Sequence, residues 1–280
     1  MKVKINKMSI IIIFSIIVIL GISLWIGHVI LNRRFKRDSN LLLNASRNNS
    51  EQTFQYDQLT GLPAPVQRYF KHVLQEGQSY ISCIRLTHNG EFKTGLDKDW
   101  IKITGEHYAT TEKPGFIWKG TTTMFTAQDM YTRDKGRLVV SLFSLYTIVD
   151  ATGEKYDQGE LLRWLGESIL YPTNFLPSER LKWFAIDDSH ARLIFKYNGI
   201  SLFFIITFNE IGEVTQMETK RYMDEVHLET WIINPTNYKE MNDVIIPCNF
   251  EVLWRLEKGD FSYARFNIQT VSFNEHVKVH

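Results

Sequence analysis

The stretch RLIFKYNGISLFFIITFN, residues 192–209, decides the fold. It holds two strand-like runs, Arg192 to Asn198 and Ser201 to Asn209, punctuated by Asn198-Gly199. Asn-Gly readily supplies the positive φ angles of a tight turn, so the two runs pair as an antiparallel hairpin. The same signal extends outward in both directions. Downstream, Val214 to Tyr222, His227 to Ile233, Val244 to Trp254 and Phe261 to Phe273 read as strands, broken by Ile211-Gly212 and Lys258-Gly259-Asp260. Upstream, from Tyr80 onward, Ile84, Leu86 and Phe92 alternate with polar residues, and Asn89-Gly90 marks a turn or bulge. Trp100 to Thr110, Gly115 to Thr126, Met130 to Asp134 and Leu138 to Val149 continue as strands, with Asp134-Lys135-Gly136 as a hairpin turn. Strands this closely spaced form an antiparallel sheet and leave no room for βαβ crossovers.

Two helices are expected beside this sheet. Gly61-Leu62-Pro63-Ala64-Pro65 breaks the chain and starts the first, since Pro suits a first helical turn. Val66, Phe70, Val73 and Leu74 then fall on one apolar stripe, and Gly77 ends it. The second is predicted over Gln158 to Leu170, with Asp157 and Glu160 as a capping-box-like start. Its buried stripe is Leu161, Trp164, Leu165, Ser168 and Ile169, and Pro172 stops it. The predicted class is mainly β (α+β). It is one large curved antiparallel sheet or open barrel, with the two helices packed on its concave face or mouth and a transmembrane helix before it.

That leading helix is Ser9 to Leu31, 23 residues without a formal charge, seventeen of them Ile, Leu, Val, Phe or Trp. At a rise of 1.5 Å per residue it spans about 34 Å, enough to cross a bilayer core. A cleaved signal peptide is the competing reading, but this run is too long and ends in Asn32-Arg33-Arg34-Phe35-Lys36-Arg37, not in a small-residue cleavage site. A retained, single-pass cell-membrane anchor is therefore expected. Lysines on one side and Arg33, Arg34, Lys36 and Arg37 on the other tie on orientation. The expected division is a basic tail (1–8), the anchor (9–31), a basic then polar juxtamembrane linker (32–59) and one β-rich globular domain (60–280). The sequons at Asn44 and Asn48 are read as chance occurrences.

The formal charge of +1 hides an asymmetry: residues 1–37 hold seven basic groups and no acid, leaving 25 basic against 31 acidic groups, a net of −6, in the other 243 residues. A body of that sign excludes a nucleic-acid partner, which calls for a basic stripe. A composition 44% hydrophobic and 13% aromatic excludes disorder. Two cysteines exclude a disulfide scaffold. Cys83 and Cys248 both fall in strand-like segments, as buried inert thiols or as a pair across the sheet.

For chemistry, the sharpest constellation is Arg163 and Glu167, one helical turn apart. They read either as a surface ion pair or, on a helix packed into a concave sheet, as a pair pointing inward to a ligand or a buried backbone group. In Pro114-Gly115-Phe116-Ile117-Trp118 the two aromatics share a strand face, as core or as pocket wall. Trp164 and Trp183 complete the candidate pocket set. Arg68-Tyr69 and Arg221-Tyr222 read as structural, with Arg68 capping the first helix or bridging it to the sheet. The scattered histidines show no His-x-His or His-Glu-x-x-His spacing, and there is neither a Gly-rich phosphate loop nor a Gly-x-Ser-x-Gly elbow. No metal and no cofactor are expected.

As a set, Leu62-Pro63-x-Pro65-Val66-x-Arg68-Tyr69-Phe70, Pro114-Gly115-Phe116-x-Trp118, Leu161-x-Arg163-x-x-x-Glu167 with Tyr171-Pro172, Arg221-Tyr222, and Pro247 with Glu251-x-x-Trp254 resemble a bacterial family of membrane-tethered proteins that share a domain of unknown function. The resemblance covers about 60 to 273. It implies no established activity. It implies a layout similar to lipoprotein-carrier sheets, whose concave face holds acyl chains. The reading that follows is a membrane-anchored binding domain for a hydrophobic or amphiphilic, lipid-like ligand, with no catalytic residue assigned. The alternatives are an envelope assembly or scaffold protein docking a membrane-protein partner, and, third, an envelope hydrolase.

Overall fold

A computed structural model describes residues 7–45 and 51–275; the basic residues before Lys7, the Asn48 sequon and His280 lie outside them. Helix α1 (Lys7–Ala45) comes first, then a 3-10 turn (Tyr56–Leu59) and α2 (Ala64–Val73). Six strands follow: β1 (Cys83–Phe92), β2 (Ile101–Thr110), β3 (Gly115–Thr121), β4 (Phe125–Thr132), β5 (Lys135–Leu142) and β6 (Tyr146–Thr152). After α3 (Glu154–Glu167) come β7 (Leu181–Ala185), β8 (His190–Tyr197), β9 (Ile200–Phe208), β10 (Val214–Tyr222), β11 (Leu228–Met241), β12 (Val244–Leu256) and β13 (Gly259–Phe273).

All thirteen strands form one antiparallel sheet in the order β6-β5-β4-β3-β2-β1-β13-β12-β11-β10-β9-β8-β7. The chain enters at the middle with β1 and meanders to the β6 edge. It then crosses to the opposite edge through α3 and meanders back until β13 closes on β1. That route explains α3. A connection between the two edges of a wrapped sheet runs through its hollow, so nearly every residue of α3 from Asp157 to Gly166 is buried, polar ones included. The period of two is plain in β9, where Leu202, Phe204, Ile206 and Phe208 are buried on the inner face.

Tertiary demands override the local signals at α3. The helix starts at Glu154, not Gln158, after Gly153 with φ 129°. Asp157 is therefore no cap. Its carboxylate accepts from the Gly136 amide at 2.8 Å and from Lys135 Nζ at 2.7 Å, sewing the β4–β5 turn to the helix. Gly136 permits this approach, because a Cβ there would overlap the Tyr156 carbonyl. The helix ends at Glu167 and passes through two 3-10 turns, Ser168–Leu170 and Pro172–Phe175.

The stripe predicted for α2 is buried, and Tyr69 packs on Phe208 at 5.9 Å. Arg68 donates to the Asp188 carbonyl at 2.5 Å, which bridges this helix to the β7–β8 turn. The run expected as one strand over Leu138 to Val149 is a hairpin. Phe143 (φ 49°) and Ser144 (φ 61°) turn it, and the Leu145 amide donates to the Leu142 carbonyl at 2.9 Å.

The stretch after Leu31, expected as a linker, begins as a continuation of α1. Gly27, Leu31, Phe35, Ser39 and Leu42-Leu43 face one side at helical spacing, and Gly27, Phe35, Ser39 and Leu43 are buried. Phe35 packs on Tyr108 at 5.7 Å, and Lys119 Nζ donates to Asn32 at 2.9 Å. Residues Ile10 to Leu20 are exposed, and the helix is long and apolar enough to cross a membrane. Cys83 and Cys248 are buried free thiols.

Candidate functional site

The wrapped sheet and α3 leave between them a cavity of about 850 Å³. Its wall takes residues from β1 to β6 on one side of the sheet's middle and from β10 to β13 on the other, which only a strongly curved sheet allows. Most of that wall is apolar, with Leu86, Ile103, Val140, Ile233, Phe250 and Ile268 among the lining residues. A small set of ionisable groups breaks it.

Sheet register builds one half of that set. His107 on β2 lies opposite Trp118 on β3, which lies opposite Asp129 on β4. Directly opposed residues share a face, so these three form a row across the strands. Helix α3 lies over the row. Arg163 pairs with Asp129 through Nη1 and with Glu167 through Nε at 2.8 Å, and its guanidinium sits 4.6 Å from the Trp118 ring centre and 5.2 Å from that of Phe116. Glu167, one turn on, brings its second oxygen to 3.5 Å from His107 Nε2. The row continues through Trp118, whose indole N–H donates to His88 Nε2 at 2.8 Å. His88 sits at a register shift of β1 against β13, where a bulge re-aims side chains, and over Gly105, at which any Cβ would overlap the imidazole.

The other half comes from across the hollow. Arg221 on β10 reaches Glu160 on α3 at 3.4 Å and lies 4.7 Å from the Trp231 ring centre. Glu160 is only 4% exposed. Among the described residues, Glu160 Oε2, Glu167 Oε2, Asp129 Oδ1 and Arg221 Nε are buried without a hydrogen-bond partner. Arg163 is committed to two carboxylates and two rings. Arg221, with one long contact and an unused Nε, is the freer cation.

Burial sets the protonation pattern. It pushes Glu160 well above the usual carboxylate range, helped by the charge of Asp129, so this group holds its proton near neutral pH. Burial also raises Asp129 against the pull of Arg163. Burial would raise Glu167 too, but the Arg163 guanidinium outweighs it and holds the carboxylate low. Burial lowers both His88 and His107 to about 4, so both imidazoles are neutral near pH 7. The result is a near-balanced, desolvated polar centre in an apolar chamber. Such a centre can hold the polar end of an amphiphile by charge-assisted hydrogen bonds. Among the described residues no group of three or more His, Cys, Asp or Glu converges with the geometry of a metal site.

Of the residues singled out in the sequence, Arg163, Glu167 and Trp118 line the cavity. Phe116 lies behind them, fully buried under the Arg163 guanidinium. Trp164 and Trp183 are core instead: their indole N–H groups donate to the Thr110 and Phe175 carbonyls, each at 2.8 Å. Asp129, His88 and His107 escaped sequence reasoning because they come from separate strands, while Glu160, read as part of a cap, and Arg221, read as structural, line the cavity. The one local signal was Glu160, three residues before Arg163 on the same helix.

No curated protein matches the sequence. Among solved structures, the chain is similar in course to the LolA superfamily protein NE2245 from Nitrosomonas europaea, at 9% identity and a TM-score of 0.45, covering 77% of this chain and 95% of that one. It is also similar to a DUF1329 family protein from Desulfovibrio piger, at 8% identity and a TM-score of 0.35, covering 71% and 88%. The sequence itself is matched more directly. Residues 52–266, from the segment before the first 3-10 turn to the middle of β13, fit one family throughout, and the chain belongs to that family of unknown function, DUF6544.

Proposed function

We propose that this chain is a membrane-anchored binding module, with residues 9–31 as the anchor and 60–280 as one domain whose cavity takes an amphiphilic, lipid-like ligand. The observation that carries this reading is the cavity itself: about 850 Å³ with apolar walls and one buried polar centre. That size falls in the upper part of the range for small-molecule sites, where apolar walls supply affinity and a few polar groups fix orientation. The ligand's polar end sits against Arg221 and protonated Glu160, with Arg163 and Glu167 holding the helix side of the site in place. Its apolar part lies along Leu86, Ile103, Phe250 and Ile268.

A hydrolase reading has one feature in its favour, a carboxyl group poised to hold a proton beside two further carboxyl neighbours. Both of those neighbours, Asp129 and Glu167, are tied to the Arg163 guanidinium, which weakens either as a base. Binding accounts for the apolar walls as well, and hydrolysis does not.

Native mass spectrometry of the full chain, extracted from cells in mild detergent, tests the proposal. The expected result is a bound amphiphile at about one per chain, lost or weakened in Arg221→Gln. A chain that carries no amphiphile and binds no apolar dye would overturn the reading, and a stoichiometric membrane protein in place of lipid would favour the docking alternative.

A further inference from the structure

The β5–β6 turn is unusual in three ways. Phe143 and Ser144 both adopt left-handed backbone angles, φ 49° and 61°, although neither is Gly, Asn or Asp. A bulky residue there is strained and persists where the surroundings or a function demand it. The turn also exposes its apolar side chains: Phe143 is 55% exposed, Leu145 50%, Tyr146 71% and Ile148 48%. Met124, half exposed on the β3–β4 loop, joins them, because the Phe143 amide donates to its carbonyl at 2.8 Å. Finally, no charged residue lies between Arg137 and Asp150, nor between Lys119 and Asp129.

This patch lies beside the anchor. At Gly27 of α1 a Cβ would overlap Leu145 and come within 2.9 Å of the Ser144 carbonyl oxygen, so the helix has no side chain where the turn meets it. Gly27 is inside the apolar run, six residues before Arg33. Six residues of helix rise about 9 Å. The exposed cations Arg33, Arg34, Lys36 and Arg37 mark a headgroup level on the domain side, which sets the turn about 9 Å deeper, the depth at which interfacial apolar groups settle. Ile148, three residues past Leu145, lines the cavity and is also exposed.

We propose that the β5–β6 turn and the β3–β4 loop form a lip that enters the lipid bilayer beside α1, so that the cavity rim at Ile148 opens onto lipid and the ligand passes laterally between membrane and cavity. This rests on the anchor reading above, and the occupant of the patch is the bilayer itself, because the patch is continuous with the helix that crosses it.

The full chain is reconstituted in vesicles of phosphatidylcholine and phosphatidylglycerol with an environment-sensitive fluorophore on an introduced cysteine, Phe143→Cys or Tyr146→Cys. Ile211→Cys, at the β9–β10 turn beside α2 and 61% exposed, is the control, and the native cysteines are buried. Lipids carrying a nitroxide on the acyl chain are expected to quench positions 143 and 146 at least about twofold more than position 211. Equal quenching at all three, in protein that floats with the vesicles and resists alkaline extraction, overturns the lip and leaves the anchor standing. Protein that fails to float overturns both. Met124→Cys gives an independent reading should the turn variants fail to fold.

Discussion

Replacing Arg163 by Met should strand two buried carboxylates. The guanidinium pairs with Asp129 and Glu167, and the three side chains are 11%, 18% and 23% exposed, so solvent screens them little. Removing one member of a buried ion pair generally costs about 3–5 kcal/mol, because the partner keeps its desolvation penalty and loses its compensation. Met preserves most of the stem's packing, but the cation–π contacts with Phe116 and Trp118 go as well, about 0.5–1 kcal/mol more. A loss of about 4 kcal/mol is expected, which at about 2–4 °C per kcal/mol lowers Tm by about 8–16 °C. The penalty belongs to unpaired charge, so the triple variant Arg163→Met/Asp129→Asn/Glu167→Gln should recover more than half of it. The penalty should also depend on pH. The stranded carboxyls take pKa values above their unfolded ones, so their proton uptake favours the folded state at low pH, and that contribution is lost as pH rises through the raised values. The single variant should therefore sit closest to the parent at about pH 5 and furthest from it at about pH 8. Thermal unfolding of the full chain in mild detergent, followed by tryptophan fluorescence, reads all three. A single-variant shift below about 2 °C, equal at both pH values and additive in the triple variant, would refute the reasoning. The cluster would then behave as a solvated surface network.

Two further outcomes follow from the same geometry. Burial lowers His88 and His107 to about 4, so each contributes stability that is present above its unfolded pKa near 6.5 and lost as pH falls through about 4; His107→Gln should remove about 3 kcal/mol of the stability lost across that window, read as a flatter plot of Tm against pH. Gly136→Ala should cost about 2–3 kcal/mol in denaturant unfolding, because its Cβ meets the backbone of Tyr156 rather than a side chain that can swing away, and a cost under about 0.5 kcal/mol would show that the turn and α3 are not locked together.

How much of this was legible depended on whether the determinant was local. The Asn198-Gly199 turn and the period-two runs announced the sheet, and Val66, Phe70, Val73 and Leu74 announced α2. The Phe143-Ser144 turn did not announce itself, since neither residue type favours positive φ, and the hairpin was hidden inside one apolar run. The C-terminal end of α1 was read as linker because it is basic and then polar, and its docking stripe itself includes a serine, Ser39. In the site, Arg163 and Glu167 were visible because one helix carries both. Asp129 reaches Arg163, and Arg221 reaches Glu160, only through strand register and through the curvature of the sheet, which no spacing in the chain records. Trp164 and Trp183 illustrate the converse: aromatic residues near a pocket in sequence became core because each indole N–H found a backbone carbonyl.

The energetic character of the hollow argues for a ligand more strongly than its volume does. A crossover helix inside a wrapped sheet would be most stable if large apolar side chains filled the space around it, since protein interiors pack to crystal-like density and voids forfeit contacts. This chain does not lack such residues, having 18 Phe and 7 Trp. Yet α3 turns Gly159 toward Arg221 and carries Glu160, Arg163 and Glu167 on turns that Leu would stabilise without a desolvation penalty. Replacing buried ions by well-packed apolar residues is often stabilising, so a set of three carboxyl groups, one of them protonated, and two guanidinium groups in this position works against folding stability. What it provides is a preorganised polar centre with unused hydrogen-bonding atoms, next to apolar wall that stays uncovered. A ligand with one polar end and a long apolar part satisfies both at once, and stabilises the folded state by mass action in proportion to its affinity. Water satisfies only the first, and an apolar molecule only the second.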